Sequence, residues 1–382
     1  MSDVFIKKND APQLGFSVGV MLNRKETKGQ VGLEIEVEGN KFPKPEGYEG
    51  THQPVRLNDS TFWSYVHDGS LRGADNAEYV LTKPVMFDKV PEAIDDIFSR
   101  MASYGSVISE SNRTSVHVHL NCQDFHLNRL TALLALYFTF EEVLTEWCGD
   151  HRVGNLFCLR AIDAPAIVSQ VKKFIRTDGS YQLQDHLHYS GLNTNALFKL
   201  GSLEWRTLRG CSDPQIILNW VAILQRLYEL SADFQDPREI CSMFSGEGPS
   251  SFFDNVLGPH AKTVRDGIEF DNDRIGESMY EGIRMAQDIC YCRDWSRYQP
   301  QRFKVDPFGR DPRKLAKKLA TGSAPPSVDM STLQVLGNTW GLDAASVPTS
   351  VPLQFYNNPE PDVEEEYEPE EDYDDESEDF EL

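Results

Sequence analysis

Hydrophobic and polar residues alternate with a period of two in several separate stretches, and each stretch sorts its polar groups onto one side. In Gly32-Leu33-Glu34-Ile35-Glu36-Val37-Glu38, the apolar Leu33, Ile35 and Val37 line one face of a strand and three carboxylates line the other. From Ser115 to Asn121, Val116, Val118 and Leu120 alternate with His117 and His119. From Leu203 to Leu208, Glu204 and Arg206 oppose Leu203, Trp205 and Thr207. Between Phe62 and Pro84 the pattern predicts strand, turn, strand, with Asp68-Gly69 as a hairpin turn and Glu78 on a second strand that Pro84 halts. A short strand is predicted around Phe16 to Leu22 and a strand pair around Asn193 to Gly201.

Helical periodicity fills the intervals. A helix is predicted from about Pro91 to Tyr104, capped by Asp88 and closed by Gly105. The segment Asp124 to Cys148 is apolar nearly all round, which predicts a deeply buried helix ended by Gly149. Asp163 with Pro165 starts a helix that runs to about Arg176, and Ser212 with Pro214 starts one whose buried stripe includes Ile217, Trp220, Val221, Leu224 and Leu227. A further helix is predicted near Ile275 to Trp295 and a short basic one at Arg313 to Leu319. Residues 39–60, rich in Gly, Pro and Asn, read as a long surface loop. No internal repeat is visible.

These elements predict one α+β domain over residues 14–305, a curved, mainly antiparallel β-sheet with helices packed on one side, after a flexible lead-in at 1–13. Residues 306–359 read as a Pro/Ser-rich linker, and 360–382 as an acidic tail that is disordered alone. Of the formal charge of -23, the fifteen carboxylates of that tail account for -15, leaving -8 on the remainder. The tail would suit a basic partner. No stripe of Lys and Arg appears, which argues against nucleic acid. The most apolar run, Thr131 to Phe140, is too short to span a bilayer, and no secretory signal opens the chain, so the expected location is cytoplasmic. Seven scattered cysteines without paired spacing read as reduced thiols.

Like charges two positions apart on a strand lie about 7 Å apart and repel by about 0.6 kcal/mol in water, or about 2 kcal/mol at an effective dielectric near 20. A buried row of carboxylates therefore needs cations, and divalent metals that also hold nucleotide phosphates supply them. Taken singly, each stretch has a plain alternative: a solvated strand face, a surface H-x-H pair, a turn aspartate at Asp68. Repetition on four strands favours one sheet face that gathers cations and phosphate. Arg209 reads as a helix-approach cation.

The order and wording of these stretches resemble the amidoligases, carboxylate-amine ligases related to glutamine synthetase and glutamate-cysteine ligase. The resemblance is carried by Gly32-Leu33-Glu34-Ile35-Glu36, by Trp63 with Asp68-Gly69-Ser70-Leu71 and Glu78 ahead of Lys83-Pro84, by Ser115-Val116-His117-Val118-His119, and by Leu203-Glu204-Trp205-Arg206. It covers roughly residues 30–230. It implies a glutamine synthetase-like fold in which Glu34, Glu36, Glu78, His117 and Glu204 hold two or three Mg or Mn ions. Arg206 would then meet the transferring phosphoryl group, with His119 and Arg209 as further ATP contacts and Asp68 as a candidate base for the incoming amine. The implied activity is an ATP-dependent ligase that activates a carboxylate as an acyl phosphate for attack by an amine, on a peptide or protein, in a bacterial or phage setting. A chemistry of positioning and charge neutralisation needs no nucleophilic side chain, and the lack of a G-x-x-x-x-G-K-[ST] run is consistent with ATP gripped from a sheet face. Two departures from the family pattern stand out: Thr114-Ser115 replaces the usual small Cys-Gly or Gly, and His188-Tyr189 precedes Leu192-Asn193 where Arg-Tyr is common. Rival readings are a metalloenzyme with His117, His119 and Asp124 on one iron, a scaffolding protein with a recruiting tail, and a Cys122–His119 nucleophile pair.

Overall fold

The computed structural model describes residues 17–48, 53–72, 75–109, 111–181, 183 and 189–295. The predicted lead-in, linker, acidic tail and basic helix at Arg313 to Leu319, and His188, lie outside the described residues.

The architecture is α+β, an open antiparallel sheet with helices on its apolar face. The strands are β1 (Val31–Asn40), β2 (Val55–Arg56), β3 (Trp63–Val66), β4 (Asp75–Leu81), β5 (Val107–Ser109), β6 (Ser115–Asn121), β7 (Leu192–Asn193) and β8 (Ser202–Arg209). Their order is β2-β3-β4-β1-β6-β8-β7, with β5 beside the end of β1. Every pairing is antiparallel. Leu33, Ile35, Val37, Val116, Val118, Leu120, Leu203 and Trp205 are all buried on the helix side, so the period-two alternation sets the two faces.

The helices are α1 (Val18–Met21), α2 (Val90–Tyr104), α3 (Leu127–Cys148), α4 (Ala166–Arg176), α5 (Ala196–Leu200), α6 (Pro214–Leu230), α7 (Arg238–Leu257, kinked at Gly248), α8 (Ala261–Asp266) and α9 (Asn272–Cys290). The α3 helix is buried nearly all round, as its apolar sequence requires. Its Tyr137 packs edge-on against Trp205 of β8, and α2 receives the Trp63 Nε1–H bond at Ala93 O, 2.7 Å. α9 lies against α3 so closely that a Cβ at Gly282 would come within 2.5 Å of Phe138 O, which only glycine permits. No helix among the described residues is long and apolar enough to cross a membrane. All seven cysteines are free.

Several boundaries differ from the sequence expectation. Where the sequence predicts a strand around Phe16 to Leu22, the described residues from Ser17 hold a helical turn, α1, which Ser17 caps and in which Val18 is fully buried. Asp88 sits inside a 3₁₀ turn and caps nothing. Asp163 is engaged by Arg160 at 2.7 Å, and α4 begins at Ala166 behind Pro165. Asp213, one residue after the expected Ser212, caps α6 by accepting from Gln215 N at 2.8 Å. The strand pair expected around Asn193 to Gly201 is present as β7 and β8, and the short helix α5 joins them.

A carboxylate of α3 is buried among the helices. Glu141 of α3 accepts a bond from Ala161 N at 2.8 Å, and burial pushes its pKa up to about 8 against the opposing pull of that bond and of Arg160. A carboxyl that binds its proton more tightly folded than unfolded adds stability present below about 4.5 and lost as pH rises to about 8. The slope is at most about 1.4 kcal/mol per pH unit. Glu141→Gln keeps an oxygen for Ala161 N and removes the titration. Denaturant unfolding from pH 5 to 9 is therefore expected to show a flatter stability profile for Glu141→Gln than for the wild type, and parallel profiles would refute it.

Candidate functional site

The face opposite the helices carries the charged residues of four adjacent strands. The register sets Glu78 of β4 opposite Glu36 of β1, Glu34 of β1 opposite His117 of β6, and His119 of β6 opposite Glu204 of β8. Residues up to 170 positions apart in sequence thus stand in one row across β4-β1-β6-β8. Directly opposed side chains on one sheet face are within contact distance. Gly32 faces His119, and a Cβ there would press to 3.2 Å from the His119 Cβ, so the glycine leaves the imidazole room to reach Glu34.

Glu34 is the hub. Its Oε2 lies 2.7 Å from His117 Nδ1 and its Oε1 lies 3.2 Å from His119 Nε2. Glu36 accepts at Oε2 from both Ser115 N, 2.8 Å, and Ser115 Oγ, 2.7 Å. The same hydroxyl is 2.7 Å from His117 Nε2, so Ser115 links the two. Glu204 accepts from Arg206 Nη1 at Oε1 and from Asn193 Nδ2 at Oε2, each at 2.7 Å. His119 Nδ1 lies 3.3 Å from Ser202 Oγ.

The electrostatics follow from burial and neighbours. Burial works to raise Glu34, but the His119 charge and the bonds from His117 and His119 hold it well below the ordinary carboxylate range. Glu204 is likewise lowered, burial opposed by the charges of His119, His117 and Arg206. His119 is raised despite burial because Glu34 and Glu204 face it. Glu78 goes the other way. Burial, reinforced by Glu34, Glu36 and Asp68 and opposed by Arg206, pushes it up to about 8. A fourth carboxylate in this row is costly to ionise unless further positive charge arrives.

The donor set fits a hard divalent cation. Glu34, His119 and Glu204 each offer one ligand atom, all within 4.8 Å of one another. The two carboxylates suit Mg or Mn, and the imidazole is also a ligand for Zn or Fe. Arg206 keeps 18% of its side chain exposed, and its buried Nε has no bonding partner, so Glu204 does not use all of its donors. Beside Glu34 and His119 opens a cleft of about 230 Å³, whose far wall includes Thr27, Thr82, Lys83, Pro84 and Leu200.

The sequence-predicted residues are distributed as follows. Glu34, Glu36, His117, His119, Glu204 and Arg206 are joined by direct contacts, and Glu78 adjoins them through the register. The tightest potential ligand triad uses His119, the second histidine of the pair, while His117 bridges Glu34 and Ser115. Asp68 accepts from Ser70 N at 2.7 Å and Ser70 Oγ at 2.9 Å, a turn role, and its charge also acts on Glu78. Arg209 donates to Cys148 O at 2.9 Å, the place of a cation at the C-terminus of α3. Asp124, the carboxylate named in the iron reading, is exposed, and the carboxylate that meets both His117 and His119 is Glu34. Burial raises the Cys122 thiol to about 12, which removes it as a nucleophile.

Three partners were not expected from sequence: Ser115, Asn193 and Ser202. Ser115 is the very residue that departs from the family pattern, and here it binds Glu36 through both backbone and hydroxyl. Its place two positions before His117 on the same strand face was a signal within reach.

Residues 27–227, more than half of the chain and all eight strands, match the family model described as a putative amidoligase enzyme. No curated protein matches the chain.

Proposed function

Because this chain belongs to the amidoligase family, we propose that it is an ATP-dependent carbon–nitrogen ligase that joins a carboxylate to an amine through an acyl phosphate. The observation that carries the reading is the convergence of Glu34, His119 and Glu204 within 4.8 Å, with the part-buried Arg206 bonded to Glu204. Glu34, His119 and Glu204 would hold one Mg or Mn ion, with Glu36, Glu78 and His117 available to a second. Bound metal would supply the charge neutralisation that phosphoryl transfer depends on. A substrate carboxylate oxygen attacks the terminal phosphorus of ATP and ADP leaves. The amine nitrogen then attacks the acyl carbon and phosphate leaves.

The chain's own contribution is to position and to neutralise. Arg206, fixed on Glu204 with Nε to spare, would steady the oxygens of the transferring phosphoryl group. Asp68, tied into its turn by Ser70, is the carboxylate proposed to take the amine's proton. The cleft beside Glu34, about 230 Å³, is smaller than the range of about 300–1,000 Å³ for whole-ligand pockets, so it would take one portion of the nucleotide. A peptide or protein substrate is the class proposed for the carboxylate or amine.

Calorimetric titration of ATP with Mg tests the reading. Magnesium-dependent binding is expected in the wild type and lost in both Glu36→Gln and Glu204→Gln. Unchanged binding in the two variants would overturn it.

A further inference from the structure

Arg152 lies outside the cluster, on the turn after α3, and is completely buried. No carboxylate among the described residues pairs with it. Its Nε donates to Thr207 O at 2.9 Å and its Nη2 to Arg206 O at 2.8 Å, while Nη1 finds no partner. A buried guanidinium without a countercharge is expensive, and here the compensation comes from two backbone carbonyl dipoles of β8.

Those two carbonyls belong to an irregularity. The β6–β8 register pairs Val118 with Trp205 but Val116 with Leu208, so Arg206 and Thr207 share the place opposite His117. Trp205 and Leu208, three positions apart, both reach the core with no exposure. On its other edge β8 loses a strand partner at this level, because β7 pairs only with Trp205 and Glu204. Gly191 O takes Arg206 N at 2.8 Å, and Arg152 takes the two carbonyls. Bulges re-aim side chains, and loss of one shifts register so that residues beyond it change face.

We propose that Arg152 is a positioning residue of the site: by standing in for an edge strand at Arg206 O and Thr207 O, it maintains the β8 bulge that aims Arg206 at Glu204 and at the phosphoryl group. Its effect on the nucleotide rests on the ligase reading above; its effect on the bulge does not. A lysine carries the charge but cannot span both carbonyls with a planar fork, so it serves as the partial replacement.

The test uses Arg152→Met and Arg152→Lys in the full chain. Amide hydrogen exchange of the free protein is expected to quicken in peptides covering 202–209, most in Arg152→Met and less in Arg152→Lys, with peptides from α9 unchanged. Affinity for ATP with Mg is expected to fall by about tenfold in Arg152→Met, to recover partly in Arg152→Lys, and to show no further fall when Arg206→Gln is already present. Unaltered exchange in 202–209, an equal loss in the Arg206→Gln background, or failure of both variants to fold would overturn the proposal. A wild type that binds no ATP with Mg would sink the ligase reading and leave the exchange result to decide Arg152.

Discussion

Glu34→Gln is expected to weaken binding of ATP with Mg by about a thousandfold, equivalent to about 4 kcal/mol. Glu34 is the one carboxylate that meets both imidazoles, with Oε2 2.7 Å from His117 Nδ1 and Oε1 3.2 Å from His119 Nε2. Glutamine keeps the shape but offers a single acceptor oxygen, and its amide donors would face an imidazole. It also removes one of three groups whose ligand atoms lie within 4.8 Å of one another. His119 loses the charge that does most to raise it, so the pair of changes strips the centre of both a ligand and a countercharge. Titration of Mn alone, and of ATP with Mg, with thermal unfolding as a folding control, reads the effect. A folded variant that binds both as the wild type does would show that the convergence of these groups has no bearing on cations.

Arg206→Lys is expected to act on turnover more than on binding. ADP formation should fall by about a thousandfold, the lower end of the range for removing an arginine that stabilises transferring phosphoryl oxygens. Affinity for ATP with Mg should change by about tenfold or less, since Glu34, His119 and Glu204 remain. The reason is geometric. Arg206 spends Nη1 on Glu204 Oε1 at 2.7 Å and retains a buried Nε without a partner. A lysine ammonium can keep the pair with Glu204 but cannot at the same time present a second donor in a fixed plane. Wild-type turnover in Arg206→Lys would remove the phosphoryl role from this residue.

The acid row illustrates how far local pattern reaches. Glu34, Glu36, His117, His119, Glu204 and Arg206 were all visible as polar members of amphipathic strands, because a strand's alternation is a property of adjacent residues. α3 was equally legible, since a segment apolar on every side has only the core to enter. Legibility failed where the deciding contact is distant. Val18 is buried by the body of the fold, and the first amides of α1 are taken by Phe125 O at 2.7 Å and Gln123 O at 2.9 Å, distant contacts that no local period shows. Asp163 could not cap α4 because Arg160 holds it. Arg209, open in sequence to a phosphate contact or a helix-approach role, donates to the carbonyls at the C-terminus of α3.

What the chain's own order of residues determined was which side chains share a face and which segments wind into helices, for both follow from repeats of two or 3.6 residues read locally. What tertiary structure alone decided was the strand order that sets β4, β1, β6 and β8 side by side, and with it the choice of partners: Ser115 for Glu36, Asn193 for Glu204, Arg152 for the β8 bulge. The physical reason is that contact across a sheet depends on register between segments far apart in the chain, and no period within one segment encodes it.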